Sequence, residues 1–305
     1  MGSSDHRRHR SDTSDCELLV IDPDPPAKPP SVNIMTHVRK RLRNEANLLR
    51  RQIRMYLFCI FIILYGGSVV FRNVAFYRFQ IGNRITQDLG FQLFAESRGL
   101  MNTVPIFVLQ VTAILTCLAS LFPIAENAPY ATNILRRWGM VEAMGTVLRF
   151  ATYVSTSLPG AADHCLPHNT EKILRDRPTS IRDIFLMMKV DGVGLEKNTG
   201  ESGSYNCGDL VFSGHMLMTI CYALTILRYS PKVLNLGSRY VTFVLKPGVW
   251  TLVLLQAIGI IMARNHYTMD VVIAAYVTPL LWHWHATNEK RDMTPYVLSE
   301  TVCCG

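Results

Sequence analysis

The chain lacks several motifs that mark common enzyme classes. It has no glycine-rich phosphate loop, no CxxC pair and no HExxH motif, which argues against P-loop nucleotide hydrolases, CxxC redox proteins and zincin-type metalloproteases. It also has no internal repeat and little charge: 18% of its 305 residues are charged, whereas 49% are hydrophobic. The apolar residues occur in blocks rather than in the alternation of a soluble domain. The sequence therefore predicts a polytopic membrane protein.

Six apolar segments reach or approach the roughly 20 residues that one membrane-spanning helix needs. They are 53–71, 100–123, 138–158, 210–228, 241–263 and 269–287. We expect an all-α polytopic fold with six transmembrane helices and both termini in the cytosol. The expected parts are a disordered, basic and proline-rich tail, a six-helix transmembrane catalytic domain and a short cytosolic C-terminal tail. Their boundaries are 1–50, 51–287 and 288–305.

Basic residues next to the first helix set the expected orientation. They are Arg39, Lys40, Arg41, Arg43, Arg50, Arg51 and Arg54. Cytosolic flanks of membrane helices carry an excess of Lys and Arg, so the tail should be cytosolic and the loop 159–209 lumenal or exoplasmic. The same cluster either serves only to orient the first helix or also binds anionic lipid headgroups.

Two histidines stand at the ends of hydrophobic segments on the same expected side of the membrane. His215 closes the segment CGDLVFSGH, and His266 lies in RNHYTMD with Asp270 four residues later. On one helical face, this carboxylate can hold one nitrogen of His266 and leave the other to act as nucleophile or base. His215 can then protonate a leaving oxygen.

Further polar residues near these histidines are candidates for substrate binding. Arg149 lies inside the third apolar segment, where a charge is costly, and its guanidinium suits a phosphate. Asp209 either caps the fourth helix or orients a hydroxyl substrate or a histidine. Ser213 has little bulk and lets a phosphate approach, and Tyr267 stands beside His266 in the interfacial region. Glu142 is an interfacial carboxylate, a partner of Arg149 across helices, or a catalytic residue.

The cysteines divide by expected compartment. Those in apolar segments, which we interpret as small buried hydrophobic residues, are Cys59, Cys117 and Cys221. Cys165 and Cys207 fall in the lumenal loop, where a disulfide between them is plausible. Cys303 and Cys304 are either S-palmitoylated or unmodified thiols.

The two histidine motifs carry a family resemblance. The segments 207–215 and 266–272 resemble the catalytic motifs of the sphingomyelin synthase family, which includes ceramide phosphoethanolamine synthases and inositol phosphorylceramide synthases. Residues 149–160 and 88–91 are similar to motifs in the third helix and first loop of that family. The resemblance covers about residues 50–287 and implies six transmembrane helices with a lumenal active site.

The resemblance also implies an activity. A triad of His215, His266 and Asp270 would transfer phosphocholine, phosphoethanolamine or phosphoinositol from a glycerophospholipid to the primary hydroxyl of ceramide and release diacylglycerol. No metal or other cofactor is implied. The expected partners are ceramide, the donor lipid and the membrane, with no nucleic acid; a homo-oligomer is compatible with these motifs. The expected location is the Golgi, with the plasma membrane or endoplasmic reticulum as alternatives.

Two other functions remain open. A lipid phosphate phosphatase would use the same histidine chemistry with water. Its Lys-x6-Arg-Pro motif is absent because only four residues separate Lys172 from Arg177, and Phe212 replaces the proline of its Pro-Ser-Gly-His motif. A non-enzymatic lipid-binding or transport protein would have no need of a histidine and aspartate pair opposite a second histidine.

Overall fold

The computed structural model of this chain describes eleven stretches of it. They are residues 34–71, 74–75, 77, 87–97, 99–122, 128–156, 158–161, 165, 180–183, 185 and 210–288. Within these stretches the regular structure is helical and contains no strand, so the all-α prediction is confirmed for them.

The helices follow one another in chain order. They are α1 Ile34–Ile60, α2 Leu89–Leu93, α3 Val104–Ala119, α4 Ala131–Ser155, α5 Gly214–Val233, α6 Ser238–Tyr240, α7 Lys246–Met262 and α8 Thr268–Asn288. Helix α1 continues without a break as a π-helix over Phe61–Phe71, a second π-helix over Val241–Leu245 joins α6 to α7, and a short 3₁₀ turn over Leu100–Asn102 precedes α3.

Helix α5 forms the centre of the bundle. It packs against α3, α4, α7 and α8, and its fully buried side chains include Leu217, Ile220 and Ile226. Because its neighbours surround it, α5 fixes the position of the residues at its N-terminus relative to α4 and α8. His215 is the second residue of this helix.

The buried amide of Gln256 joins α7 to the start of α3. Its Nε2 donates to the carbonyl of Asn102 at 2.9 Å, and its Oε1 accepts from the amide of Ile106 at 3.1 Å. The side chain is fully buried. These bonds satisfy a polar group that would be costly inside an apolar helix pair.

Each of the six apolar segments coincides largely with a helical stretch. Among the described residues, two helices are long and apolar enough to cross a membrane, Leu100–Ala119 and Ser238–Met262. Helix α4 begins seven residues before the predicted segment 138–158, and these added residues, about two turns, include polar side chains. Six crossings and cytosolic termini remain predictions.

The predicted disordered tail over 1–50 is wrong for its last part, because residues 34–50 are helical. Two charged side chains of α1, Arg41 and Glu45, are buried against the segment between α3 and α4. Their hydrogen bonds stabilise a helix that composition alone did not indicate.

Candidate active site

The turn between α7 and α8 brings His266 and Asp270 together. Helix α7 ends at Met262, the backbone turns at Arg264 with a φ of 55°, and α8 begins at Thr268. His266 Nδ1 lies 3.2 Å from Asp270 Oδ2. The pair expected along one helical face therefore meets across the first turn of α8, with His266 just outside the helix.

The Asp270 carboxylate connects the two histidine motifs. Its Oδ2 accepts a hydrogen bond from the amide of Tyr267 at 3.1 Å, and its Oδ1 accepts one from the amide of Val211 at 2.9 Å. The Asp270 carbonyl also accepts from the amide of Ser213 at 3.2 Å. Asp270 has no exposed surface, so these bonds hold the carboxylate in one position. Val211, at a φ of 79°, turns its amide toward it.

The two histidines face each other at the joined motifs. Their ring centroids are 6.2 Å apart, and the ring planes make an angle of 65°. His266 is buried, whereas His215 is half-buried. At this separation one ring can attack the phosphorus of a phosphate ester while the other exchanges a proton with an oxygen of the same group.

The guanidinium of Arg149 lies against the N-terminus of α5. A Cβ atom added to Gly214 would stand 2.3 Å from Arg149 Nη1 and 2.7 Å from Arg149 Cζ. Glycine at this position thus lets the cation approach the residue before His215. The cation and the amides at the helix N-terminus both favour an anion at this place.

Two residues predicted to bind substrate have structural contacts here. Ser213 is buried, and its Oγ caps α5 by accepting from the amide of Met216 at 3.3 Å. Tyr267 is buried, its hydroxyl donates to the carbonyl of Pro159 at 2.9 Å, and its ring stacks on Phe91 at 5.4 Å. Direct substrate contact by either residue stays a prediction. Asp209 lies outside the described residues.

The first loop is linked to the histidine turn by contacts that the sequence did not predict. Asp88 caps α2, and its Oδ2 accepts from the amide of Thr268 at 2.8 Å, while its Oδ1 accepts from Thr268 Oγ1 at 2.6 Å. The amide of Gly90 donates to Thr268 Oγ1 at 3.1 Å. We call these three residues the 88–268 latch. It caps the helix that carries Asp270 with a residue 180 positions away.

The latch requires glycine at position 90. A Cβ atom there would stand 2.3 Å from Thr268 Oγ1 and 2.7 Å from Ile261 Cγ2. Beside the latch, the Arg264 guanidinium lies 4.1 Å from the centre of the Phe91 ring and donates to the carbonyl of Phe91 at 3.1 Å. The resemblance of residues 88–91 to a family motif was the one signal in the sequence that pointed to this loop.

Glu142 lies deeper in the bundle than an interfacial carboxylate would. It is 3% exposed on α4, its side chain hydrogen-bonds Cys221 of α5, and its charge interacts with that of Arg149. Glu142 and Arg149 lie on the same helix, so the predicted pairing of Glu142 with Arg149 across helices does not apply, and a catalytic role of Glu142 stays untested.

The described cysteines agree with their predicted environments in part. Cys59 and Cys221 are buried free thiols, and Cys117 is a half-buried one. Cys165 is disulfide-bonded. Its partner lies outside the described residues, as does Cys207, so the pairing of these two stays a prediction.

Comparisons with known proteins relate this arrangement to a family. The family described as PAP2 superfamily C-terminal matches residues 206–287, which contain both histidines and Asp270. The chain is similar to phosphatidylinositol:ceramide inositolphosphotransferase 3 of Arabidopsis thaliana, with 32% identity over 135 residues, 44% of this chain and 39% of the relative. It is also similar to phosphatidylinositol:ceramide inositolphosphotransferase of Oryza sativa subsp. indica, with 29% identity over 199 residues, 65% of this chain and 55% of the relative.

A third relative is named for a different headgroup. Phosphatidylcholine:ceramide cholinephosphotransferase 1 of Gallus gallus is 32% identical over 168 residues, 54% of this chain and 36% of the relative. The chain spans between 36% and 55% of the length of these three relatives. Together these matches confirm the resemblance that the histidine motifs carry: the chain is similar to sphingolipid synthases.

Proposed function

We propose that the chain transfers a phospho-headgroup from a glycerophospholipid to the primary hydroxyl of ceramide and releases diacylglycerol. The observation that carries this proposal is the Asp270 carboxylate, which bonds both His266 Nδ1 and the amide of Val211 and so holds His266 opposite His215. The names of the relatives supply the substrate classes, because they specify ceramide and a choline or inositol lipid.

In the first half of the reaction, His266 Nε2 attacks the phosphorus of the donor lipid. A phosphorus–nitrogen bond forms, the bond from phosphorus to the diacylglycerol oxygen breaks, and protonated His215 gives its proton to that oxygen. Asp270 stabilises the positive charge that develops on His266, in the way a carboxylate supports a catalytic imidazole. The Arg149 guanidinium binds the phosphate oxygens.

In the second half, ceramide accepts the headgroup. Its primary hydroxyl gives a proton to His215, the hydroxyl oxygen attacks phosphorus, and the phosphorus–nitrogen bond breaks. His266 returns to its first state and His215 is again protonated. The chain's own residues supply all of these proton transfers, and no cofactor takes part in this scheme.

The test supplies membranes bearing the full chain with labelled ceramide and one donor at a time: phosphatidylcholine, phosphatidylethanolamine or phosphatidylinositol. Mass spectrometry of the product identifies the headgroup. A ceramide product with at least one donor supports the transferase, whereas release of the free phospho-headgroup without a ceramide product shows that water replaces ceramide as the acceptor. Retained lipid binding with neither product indicates a binding or transport protein.

A histidine variant and a matched control connect the activity to the site. His266→Ala should abolish transfer with normal expression, whereas His283→Ala should leave it unchanged. His283 is exposed on the same helix, thirteen residues beyond Asp270 and therefore about 20 Å along α8. Equal turnover in both variants would contradict the proposed chemistry.

We also propose that this is a multi-pass protein of the Golgi, or of the plasma membrane or endoplasmic reticulum, with its active site on the lumenal or exoplasmic face. In sealed vesicles with the cytosolic face outward, a membrane-impermeant histidine modifier should leave transfer intact. After permeabilisation the same modifier should inactivate transfer. Equal inactivation before and after permeabilisation would overturn this orientation.

A further inference from the structure

Helix α1 presents its charged residues in two distinct environments. Arg41 is 8% exposed and Glu45 is 7% exposed, whereas the basic residues around them are exposed. The exposed basic residues of α1 are Arg39, Lys40, Arg43, Arg50, Arg51 and Arg54. Glu45 is the one carboxylate in the helix, so the exposed surface of α1 carries positive charge without an acidic residue to balance it.

The two buried charges dock α1 onto the segment between α3 and α4. Arg41 donates from Nε to the carbonyl of Ser120 at 2.9 Å and from Nη2 to the carbonyl of Pro129 at 2.6 Å. Glu45 accepts from the amides of Ala131 at 2.7 Å and Thr132 at 3.0 Å, and so caps the N-terminus of α4. One end of α1 is thereby fixed across the neighbouring ends of α3 and α4.

Helix α1 contacts α4 near two positions along its length. Between Glu45 and Cys59 it advances by fourteen residues, about 21 Å. Glu45 contacts Ala131, and Cys59 Sγ lies 3.5 Å from Met140 Sδ, so α4 advances by nine residues, about 13 Å, over the same contacts. The contacts of Arg41 and Glu45 place this part of α1 at the end of the bundle where α3 ends and α4 begins.

The outward surface of residues 34–54 carries two parallel stripes. At about 100° per residue, Arg39, Arg43, Arg50 and Arg54 fall within about 60° of one another. A second, apolar stripe lies next to them within about 40°. It consists of Met35, Leu42, Leu49 and Ile53, which are 65%, 42%, 45% and 43% exposed.

We propose that residues 34–54 of α1 bind an anionic membrane surface, with the apolar stripe at the acyl boundary and the arginine stripe on the lipid phosphates. An apolar face beside a basic face is the signature of a helix that lies in a membrane interface, and anionic headgroups attract such basic residues. The surface that binds here must combine apolar and anionic groups, because the apolar stripe and the arginine stripe lie side by side. A basic segment that only oriented the first helix would need neither the exposed leucines nor the buried docking charges.

Continuity with the rest of the chain supports the same occupant. Helix α1 passes without a break into the π-helix Phe61–Phe71, which lies within the first predicted membrane segment. Residues 34–54 are therefore held at the surface that this segment enters. The inference does not depend on the catalytic proposal, since it uses none of the active-site residues.

Photocrosslinking in the full chain tests the apolar stripe. A benzophenone amino acid replaces Leu49 in the apolar stripe or Asn47, which is exposed and about 160° away around the helix. The protein is placed in nanodiscs of phosphatidylcholine with or without phosphatidylserine, irradiated and analysed by mass spectrometry. Lipid adducts should form mainly at position 49. Equal adduct yields at the two positions, or crosslinks at position 49 to a second copy of the chain instead of to lipid, would overturn the proposal.

Enrichment of phosphatidylserine among the lipid adducts tests the arginine stripe. In mixed nanodiscs the adducts at position 49 should be enriched in phosphatidylserine above its share of the lipid. The combined variant Arg39→Gln, Arg43→Gln, Arg50→Gln and Arg54→Gln should lose this enrichment. Each arginine removed should lower the affinity for the anionic lipid surface by up to about fivefold. In the protein with all four arginines, high salt should abolish the phosphatidylserine enrichment but not the lipid adducts. This result does not depend on whether the four-residue variant folds. Enrichment that resists both changes would show that the arginines do not bind the headgroups.

Discussion

The hydroxyl of Thr268 connects the first loop to the histidine turn, and valine removes it with little change in side-chain shape. Thr268 Oγ1 donates to Asp88 Oδ1 at 2.6 Å and accepts from the amide of Gly90 at 3.1 Å. Thr268→Val deletes both bonds and keeps the bond from the Thr268 amide to Asp88 Oδ2 at 2.8 Å. Thr268→Ser keeps the hydroxyl and is the matched control.

The stability cost follows from the two lost bonds. A hydrogen bond to a charged group contributes about 1.5–3 kcal/mol and one between neutral groups about 0.5–1.5 kcal/mol. Asp88 and Thr268 are partly exposed, so water can hydrogen-bond Asp88 Oδ1 in the variant and offset part of the lost energy. Gly90 is buried, so its amide loses its partner without replacement. We expect Thr268→Val to lower the free energy of unfolding by about 2 kcal/mol. Thr268→Ser should cost about 1 kcal/mol or less, for one methyl group.

The effect on turnover should be larger than the effect on binding. His266 precedes Thr268 by two residues, and a misplacement of about 1 Å in a reacting group costs on the order of 100-fold in rate. We therefore expect kcat to fall about 10- to 100-fold in Thr268→Val. The KM for ceramide should change little, because the hydroxyl bonds to Asp88 and Gly90 rather than to substrate.

The assay measures the initial rate of ceramide product formation against ceramide concentration, together with thermal unfolding of the purified protein. Thr268→Ser should stay close to the unsubstituted protein in both. A valine variant that loses stability but keeps its kcat would show that the latch supports the fold without positioning His266. A rise in KM at constant kcat would equally refute the reasoning.

Three more perturbations follow from contacts of single residues. Gly90→Ala should cost about 1–3 kcal/mol by forcing a Cβ into the latch, whereas Gly99→Ala, whose Cβ would meet only Ser97 Oγ at 3.6 Å, should be nearly neutral in thermal unfolding. Gly214→Ala should displace the neighbouring guanidinium and raise the KM for the donor lipid, an effect that an unchanged KM would contradict. Cys165→Ser should lower the free energy of unfolding by about 2–5 kcal/mol through loss of its disulfide; peptide mapping under non-reducing conditions identifies the partner, and a free Cys165 thiol would contradict the prediction.

The features predicted well from the sequence are those that depend on near neighbours. The spacing of His266 and Asp270 predicts their contact, which the structure has at 3.2 Å, because any helical or turn conformation brings residues four apart together. The sequence predicts a helical start near His266, whereas α8 begins at Thr268. Disorder was expected over residues 34–50, but they are helical, because the docking of Arg41 and Glu45 depends on a segment about 80 residues away that composition does not reveal.

The sequence by itself determined the helical class and the pairing of a histidine with a carboxylate, since apolar blocks satisfy their backbone groups as helices and the pair is local. Only the tertiary structure decided what surrounds that pair: the Val211 amide on Asp270, Arg149 against Gly214 and Asp88 on Thr268. These contacts join residues 59 to 180 positions apart. The way the helices pack determines which of their ends meet, and periodicity along one helix contains no information about the ends of another.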